Sequence, residues 1–132
     1  ERIVDASAIK ICYGAMNKGV IALALEVLVA ARRLGVDAAF ETQLLETQRD
    51  VYERVIGGLP VMPPKAYRWV PEMLEIARTF ESVGMTPRVF QGAADLYEFV
   101  AATALGKETP ESRDRSRGGK DVVRMLADAP VK

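Results

Sequence analysis

Five residues near the start of the sequence have types and a spacing that could act on a small molecule. They lie within the stretch AIKICYGAMNKG and are Lys10, Tyr13, Gly14, Asn17 and Lys18. Because each residue of an α-helix turns by about 100°, Lys10 and Asn17 face the same direction two turns apart, with Gly14 between them. A ligand could lie over this glycine, held by Lys10 at one end and by Asn17 with Lys18 at the other.

A packing explanation accounts for the same residues. A glycine in the middle of a helix costs about 1 kcal/mol relative to alanine, and Gly14 could be kept because it admits a crossing helix. Lys10 and Lys18 would then extend their aliphatic stems to reach water, and Asn17 would hydrogen-bond to a neighbouring turn. The spacing alone leaves both explanations open.

The helix that positions these residues is long and apolar on most sides. We predict that it spans residues 5–34, with Asp5 or Ser7 as the N-cap and Gly35 as the C-terminal stop. About 28 residues at 1.5 Å each give a helix of about 42 Å. Five shorter helices cannot easily cover so much apolar surface, and this predicts a homodimer.

Helical punctuation dominates the rest of the chain, and no alternating strand pattern appears. We therefore predict an all-α bundle around one long N-terminal helix, with a helical domain over residues 1–105. Residues 106–132 are expected to form a charged linker, with a helical turn after Thr109-Pro110, and a short last helix. The five shorter helices are predicted over residues 37–45 (capped by Asp37), 48–56, 71–82, 87–105 and 121–127, with a proline-rich connector at 60–71.

Composition excludes several classes of function. The chain has 18 basic and 18 acidic residues, no histidine and one cysteine, Cys12. A formal charge of zero argues against nucleic-acid and anionic-membrane partners. The missing histidines and the single thiol argue against zinc and against a Cys-His nucleophile, and no metal site is predicted. We expect Cys12 to be a small buried hydrophobe, and a single thiol fits a cytoplasmic location.

Two segments could in principle contact a membrane or a nucleic acid. The nearly apolar run over residues 19–31 contains Glu26 and is shorter than the roughly 20 residues that span a bilayer. The segment SRDRSRGGK interleaves arginines with an aspartate and has no aromatic residue, so it is not expected to be a nucleic-acid arm. Neither a membrane nor a nucleic acid is therefore predicted as a partner.

The stretch KICYGAMNKG resembles the signature helix of the 6-phosphogluconate dehydrogenase and β-hydroxyacid dehydrogenase superfamily. The stretch PPKAYRWVPEMLEIARTFESVGMTPRVFQGAADLYEFVA is similar to the second conserved block of its all-helical C-terminal domains. Within the superfamily, the likeness points to the C-terminal domain of a branch described as NAD-binding phosphogluconate dehydrogenase. The resemblance covers roughly residues 5–105 and implies a 6-phosphogluconate dehydrogenase C-terminal-domain-like bundle.

This resemblance implies a role in an oxidoreductase. In the superfamily, a Rossmann domain binds NAD or NADP, and the helical domain supplies a catalytic lysine, matched here by Lys10, and much of the dimer interface. The chain would then be the substrate-binding and dimerisation domain of an NAD(P)-dependent enzyme acting on a hydroxy acid or a related small anionic substrate. The sequence has no G-x-G-x-x-G after a strand, so the cofactor is expected to bind mainly to a domain missing from this chain. This chain alone is therefore expected to be inactive. The alternative is a non-catalytic helical interaction or dimerisation domain.

The sequence departs from the family pattern at four positions around Lys10. Asn17 stands where the phosphogluconate enzymes have an acid glutamate, and Lys18 where they have a phosphate-contacting tyrosine. Tyr13 and Gly14 replace a histidine-asparagine pair. An amide cannot donate a proton as a carboxylic acid does, which argues against decarboxylation of 6-phosphogluconate but leaves oxidation or reduction of a hydroxy acid.

Three residues before the fourth predicted helix were considered as further contributors. The β-hydroxyacid dehydrogenases carry a second lysine at the start of the helix before the glycine turn. In this sequence that position falls near Pro71, so no lysine matches it. Lys65 or Arg68 could reach the same cleft from the connector, although we expect both to be charged residues that face solvent. Trp69 is predicted to be a packing anchor rather than a platform for nicotinamide.

Overall fold

In a computed structural model, the structure describes residues 3–130, with side chains for residues 5–130. These residues form six α-helices and three short 3-10 turns, and none of them lies in a strand. The predicted all-α class with a long N-terminal helix is therefore confirmed. The helices are α1 (Ile3–Arg33), α2 (Asp37–Thr47), α3 (Arg49–Gly58), α4 (Ala66–Glu81), α5 (Arg88–Ala102) and α6 (Gly119–Ala127), and the turns are Leu59–Val61, Pro63–Lys65 and Leu105–Lys107.

Helix α1 has 31 residues and ends where the sequence predicts. Gly35 follows it with a φ of +77°, a left-handed conformation that favours glycine. The predicted start is wrong, because Asp5 and Ser7 lie inside the helix. At the other end, the Arg33 guanidinium donates to the carbonyl oxygens of Leu126 and Ala127, 3.3 and 3.0 Å away. One basic residue thus satisfies carbonyl groups at the C-terminus of α6.

The core lies where α1, α4, α5 and α6 meet. A Leu, Val or Met side chain that is fully buried stabilises the fold by about 1.5–3 kcal/mol. Helix α6 shares this core although a charged segment precedes it. That segment is held by Arg117, whose guanidinium donates to both carboxylate oxygens of Glu108 at 2.7 and 3.2 Å. The most deeply buried residues are Leu25, Leu59, Met62, Met73, Tyr97, Val100, Val122 and Leu126.

The proline-rich segment differs most from prediction. Helix α4 begins at Ala66, so Pro71 lies inside it and not at its first position. The missing N–H of Pro71 leaves the carbonyl oxygen of Tyr67 without its usual helical donor. The connector before the helix is shorter than predicted and consists of two 3-10 turns. The packing of Ala66, which is completely buried, extends the helix past the local proline signal.

Smaller corrections concern a helix cap and the cysteine. Asp37 does not cap α2, since its carboxylate instead accepts a hydrogen bond from Arg32 at 3.0 Å. The helical turn predicted after Thr109-Pro110 is present, because the main-chain N–H groups of Ser112 and Arg113 both donate to the carbonyl oxygen of Thr109, at 3.1 and 3.0 Å. Cys12 is exposed, so the expectation of a buried thiol is wrong.

Helix α1 is also long and apolar enough to cross a membrane, judged by length and composition alone. The run that the sequence analysis considered too short is thus part of a longer apolar helix. A helix in the core of a domain has the same two properties, and α1 contributes the buried Leu25 and Val29 to the core described above. These contacts account for part of its apolar surface.

Two glycines of the described chain differ sharply in their surroundings, although each lies in a helix. A Cβ at Gly119, the first residue of α6, would collide with the main-chain oxygen of Ile56 in α3. A Cβ at Gly92, in the middle of α5, would meet no atom within 4 Å. The first glycine is therefore required by packing, whereas the second is not.

We predict opposite effects of alanine at these two positions. Gly119→Ala should lower the free energy of unfolding by about 1–3 kcal/mol, because α6 must move away from α3. Gly92→Ala should raise it by about 1 kcal/mol through helix propensity. Urea unfolding followed by circular dichroism would measure both, and equal effects of the two substitutions would contradict the packing described here.

Candidate functional site

An open cleft with a volume of about 640 Å³ lies between the N-terminal half of α1 and the first half of α4. All five residues singled out in the sequence line it, and they form the α1 wall. The α4 wall consists of two carboxylates and two apolar side chains. In chain order the main lining residues are Lys10, Tyr13, Gly14, Asn17, Lys18, Trp69, Glu72, Glu75 and Ile76.

The glycine of the α1 wall faces open space. A Cβ at Gly14 would meet no atom within 4 Å, so no described part of the chain crosses the helix there. The glycine that admits a crossing helix is Gly19, where a Cβ would lie 3.1 Å from the Phe90 ring of α5. Within the chain, the packing explanation therefore applies to Gly19 and fails for Gly14.

Lys10 and Asn17 face the cleft with their polar atoms free. Both side chains are exposed, and neither makes a hydrogen bond or ion pair with any side chain or main-chain group that the structure describes. The expected bond from Asn17 to a neighbouring turn is thus not formed. An ammonium and an amide on one face, with a bare glycine between them, can bind an anionic or hydroxylated molecule by direct hydrogen bonds.

Lys18, in contrast, is engaged by α4. Its Nζ lies 2.7 Å from Oε2 of Glu72 and 5.3 Å from the centre of the Trp69 ring. The Lys18 side chain retains a quarter of its exposure and that of Glu72 nearly half. Ion pairs with this exposure contribute about 0.2–1 kcal/mol, so the contact positions Lys18 more than it stabilises the fold.

Tyr97 lies in α5 and connects it to both helices that form the cleft, although it does not line the cleft itself. Its side chain is completely buried, and its hydroxyl donates to the main-chain carbonyl oxygen of Lys18 at 2.5 Å. Its ring packs edge-to-face against Trp69, with 5.2 Å between the ring centres. Burial raises the pKa of Tyr97, and the negative charge of Glu72 raises it further. Trp69 is thus a packing anchor, as predicted, and also part of the cleft wall.

Glu72 and Glu75 are the cleft residues that the sequence analysis missed. With α4 starting at Ala66, Trp69, Glu72 and Ile76 follow the i, i+3, i+7 spacing of one helix face. The predicted helix over residues 71–82 already contained both glutamates, but no signal in the sequence shows that this face lies opposite α1. Lys65 and Arg68, which were considered as contributors, do not line the cleft.

The residues that a metal ion or a dinucleotide would require are the next feature of the described chain. Among them, no group of three or more His, Cys, Asp or Glu side chains is arranged to hold a metal ion. The same part of the chain contains no strand, and therefore no βαβ unit whose glycine-rich turn could bind the phosphates of NAD or NADP. The described residues alone therefore do not form a dinucleotide site of the Rossmann type.

The fold and the geometry of the cleft define the protein as an all-helical domain with a lysine-lined cleft. Residues 31–100, more than half of the chain, match the family "Domain of unknown function (DUF1932)", and the chain belongs to this family. The domain is found at the C-terminus of 6-phosphogluconate/β-hydroxyacid dehydrogenase-like proteins, which supports the superfamily indicated by the resemblance. No curated protein and no solved structure matches the chain. The match includes the α4 wall, whereas Lys10 precedes it.

The hydroxyl of Tyr97 provides a test of the contact below the cleft. Tyr97→Phe should lower the free energy of unfolding by about 1 kcal/mol at neutral pH, because the carbonyl oxygen of Lys18 loses its additional donor. A raised pKa means that the unfolded chain releases this proton first, so wild-type stability falls as the pH rises above 10.0, the ordinary value. The difference between wild type and variant should therefore shrink at alkaline pH.

Urea unfolding at neutral pH and at about pH 11 would measure both effects. Tyr67→Phe is the control, since Tyr67 is exposed on the same helix as Trp69 and its hydroxyl has no partner among the described residues. A Tyr97→Phe variant that behaves like this control at both pH values would show that the hydroxyl contributes nothing to the junction.

Proposed function

We propose that the chain is the substrate-binding and dimerisation domain of an NAD(P)-dependent oxidoreductase acting on a hydroxy acid or a related small anionic substrate. Within the superfamily, we assign it to the branch described as NAD-binding phosphogluconate dehydrogenase. The observation that carries the proposal is the free ammonium of Lys10 in a cleft next to the bare backbone at Gly14. Membership of a family found at the C-terminus of dehydrogenase-like proteins supports it.

Lys10 would act on the substrate hydroxyl. Its Nζ is free of protein partners, so it can hydrogen-bond to that oxygen and exchange a proton with it. Asn17, two turns further on the same face, would hydrogen-bond to the substrate without donating a proton as an acid. Gly14 leaves room for the substrate to approach the backbone between them. This residue set supports oxidation or reduction of a hydroxyl carbon and gives no support to an acid-assisted decarboxylation.

NAD or NADP would supply the hydride chemistry, held mainly by a domain other than the helices described above. The part played by these helices is to bind the substrate, orient its hydroxyl towards Lys10 and enclose it between α1 and α4. The arrangement needs no metal ion, because the lysine ammonium itself can stabilise negative charge on the hydroxyl oxygen.

An exposed apolar face on α1 supports dimerisation. Ile9, Met16 and Leu23 recur every seven residues and are 62, 68 and 67% exposed. The exposed Cys12 and Tyr13 lie between them. A seven-residue apolar repeat on an uncovered helix is typical of packing against another helix. Tyr13 also lines the cleft, so a partner on this face would lie beside the proposed site.

The second candidate is a non-catalytic helical interaction domain. The same apolar face favours it, because that face alone would account for association without any chemistry in the cleft. The two candidates differ in what they require of Lys10, which only the oxidoreductase needs.

We predict that Lys10→Ala in the full-length protein lowers kcat about 100- to 10,000-fold, the range typical of a general acid–base group. Turnover of a panel of small hydroxy acids with NAD or NADP, followed by nicotinamide absorbance, would measure it. Lys65→Ala is the matched control, since this lysine lies outside the cleft lining. Full turnover by Lys10→Ala would eliminate the catalytic role and favour the interaction domain.

We predict that the wild-type protein is a dimer and that Leu23→Glu makes it monomeric without unfolding it. The substitution introduces a charge on the exposed apolar face, where a buried carboxylate would have no partner. Val83→Glu is the control, because Val83 is similarly exposed, at 72%, but lies in the turn after α4. Light scattering of the 132-residue chain at micromolar concentration should give twice 14.5 kDa for wild type and control. A monomeric wild type would refute dimerisation.

A further inference from the structure

The charges that line the cleft balance each other. Lys10 and Lys18 on α1 stand against Glu72 and Glu75 on α4, so the lining carries no net formal charge. One positive charge is already matched, because Lys18 is paired with Glu72 at 2.7 Å. The remaining lysine and the remaining glutamate have no ion-pair partner among the described residues. For a ligand, the cleft therefore offers one free cation on one wall and one free anion on the other.

The pairing of Lys18 affects how the cleft can recognise a phosphate. The Lys18 side chain is directed along the Trp69 ring, and its Nζ contacts the Glu72 carboxylate. A phosphate that approached this ammonium would come close to the carboxylate as well, and the repulsion would offset the attraction. The approach would also require Glu72 to give up its partner. Lys18 thus lies where a residue could bind a phosphate, but its positive charge is already neutralised by the carboxylate of Glu72.

The α4 wall favours a different kind of group. Ionised carboxylates accept hydrogen bonds and donate none, so Glu72 and Glu75 suit hydroxyl or ammonium groups. Trp69 and Ile76 add apolar surface between them. A ligand that presents donors to α4 and a single carboxylate to Lys10 matches both walls, whereas the negatively charged oxygens of a phosphate ester match neither the charge nor the hydrogen-bond acceptors of α4.

We propose that Glu72 is a specificity-determining residue: by holding Lys18 against Trp69, it makes the α4 side of the cleft reject phosphate groups and accept hydrogen-bond donors. This inference rests on the proposed function, since it concerns the same cleft, and it narrows the substrate class. The preferred ligand is a small monocarboxylate that carries hydroxyl or ammonium groups and is not phosphorylated.

A matched pair of probes tests this inference. D-Gluconate and 6-phospho-D-gluconate differ only in the phosphate, and isothermal titration calorimetry on the full-length protein would give both Kd values. Wild type should bind gluconate at least about tenfold more tightly. Glu72→Gln should tighten binding of the phosphorylated probe by about tenfold or more, because Lys18 is released to contact it. Circular dichroism would verify that the variant is folded, which is expected since an exposed ion pair adds little stability.

Two further variants separate the ion pair from a general change of charge. Glu75→Gln removes the same charge from the same wall but releases no lysine, so it should change binding of the phosphorylated probe much less. Adding Lys18→Met to Glu72→Gln should abolish the gain. If wild type prefers the phosphorylated probe, or if the two glutamine variants behave alike, the inference is wrong.

Lys10→Ala distinguishes failure of this inference from failure of the proposed function. If wild type prefers the phosphorylated probe and Lys10→Ala weakens binding of both probes, the role of Glu72 is refuted but the cleft still binds hydroxy acids. If wild type binds neither probe, the proposed function fails and the inference fails with it. Binding of both probes that Lys10→Ala leaves unchanged would likewise overturn both.

Discussion

The junction of α1 with the α4–α5 pair is the constraint on which the rest of the structure depends. Tyr97 lies at this junction, where its hydroxyl reaches the main chain of Lys18 and its ring packs against Trp69. One fully buried residue thus links three helices, two of which form the walls of the cleft. A site whose walls come from two helices needs such a fixed contact, because small shifts change the distances between its charged groups. Packing and proposed chemistry therefore depend on the same side chain.

The unusual composition of helix α1 follows from the three different environments that its faces meet. One face carries Leu25 and Val29 into the core, and a second, marked by Met16 and Leu23, is apolar but uncovered within the chain. The third carries Lys10 into an open cleft between these surfaces. Such a helix looks apolar all round in sequence although only one side is buried within the chain. The polar residues are therefore compatible with burial of another face, because they lie on the face that lines the open cleft.

Local signals predicted the class of fold and the α1 wall, and tertiary packing decided the rest. The stop at Gly35 and the common face of Lys10 and Asn17 follow from helix geometry, which the sequence displays directly. The start of α4 does not, because the burial of Ala66 overrides the local preference of Pro71 for a first turn. Glu72 and Glu75 lie within the helix that the sequence predicts, but which helix they face is decided by tertiary packing. The openness at one glycine and the close contact at another are likewise properties of neighbouring helices.

The balance of charge in the cleft has a consequence for recognition. The whole chain has no net formal charge, and the lysines and glutamates of the cleft also cancel. A neutral surface of this kind exerts little long-range attraction on a charged ligand. Discrimination must then come from short-range contacts, in which the free ammonium of Lys10 and the carboxylate of Glu75 each require a complementary group. Because α1 supplies the cation and α4 the anion, a ligand is selected by how its charges are spaced, and the contact that fixes the two helices also fixes that spacing.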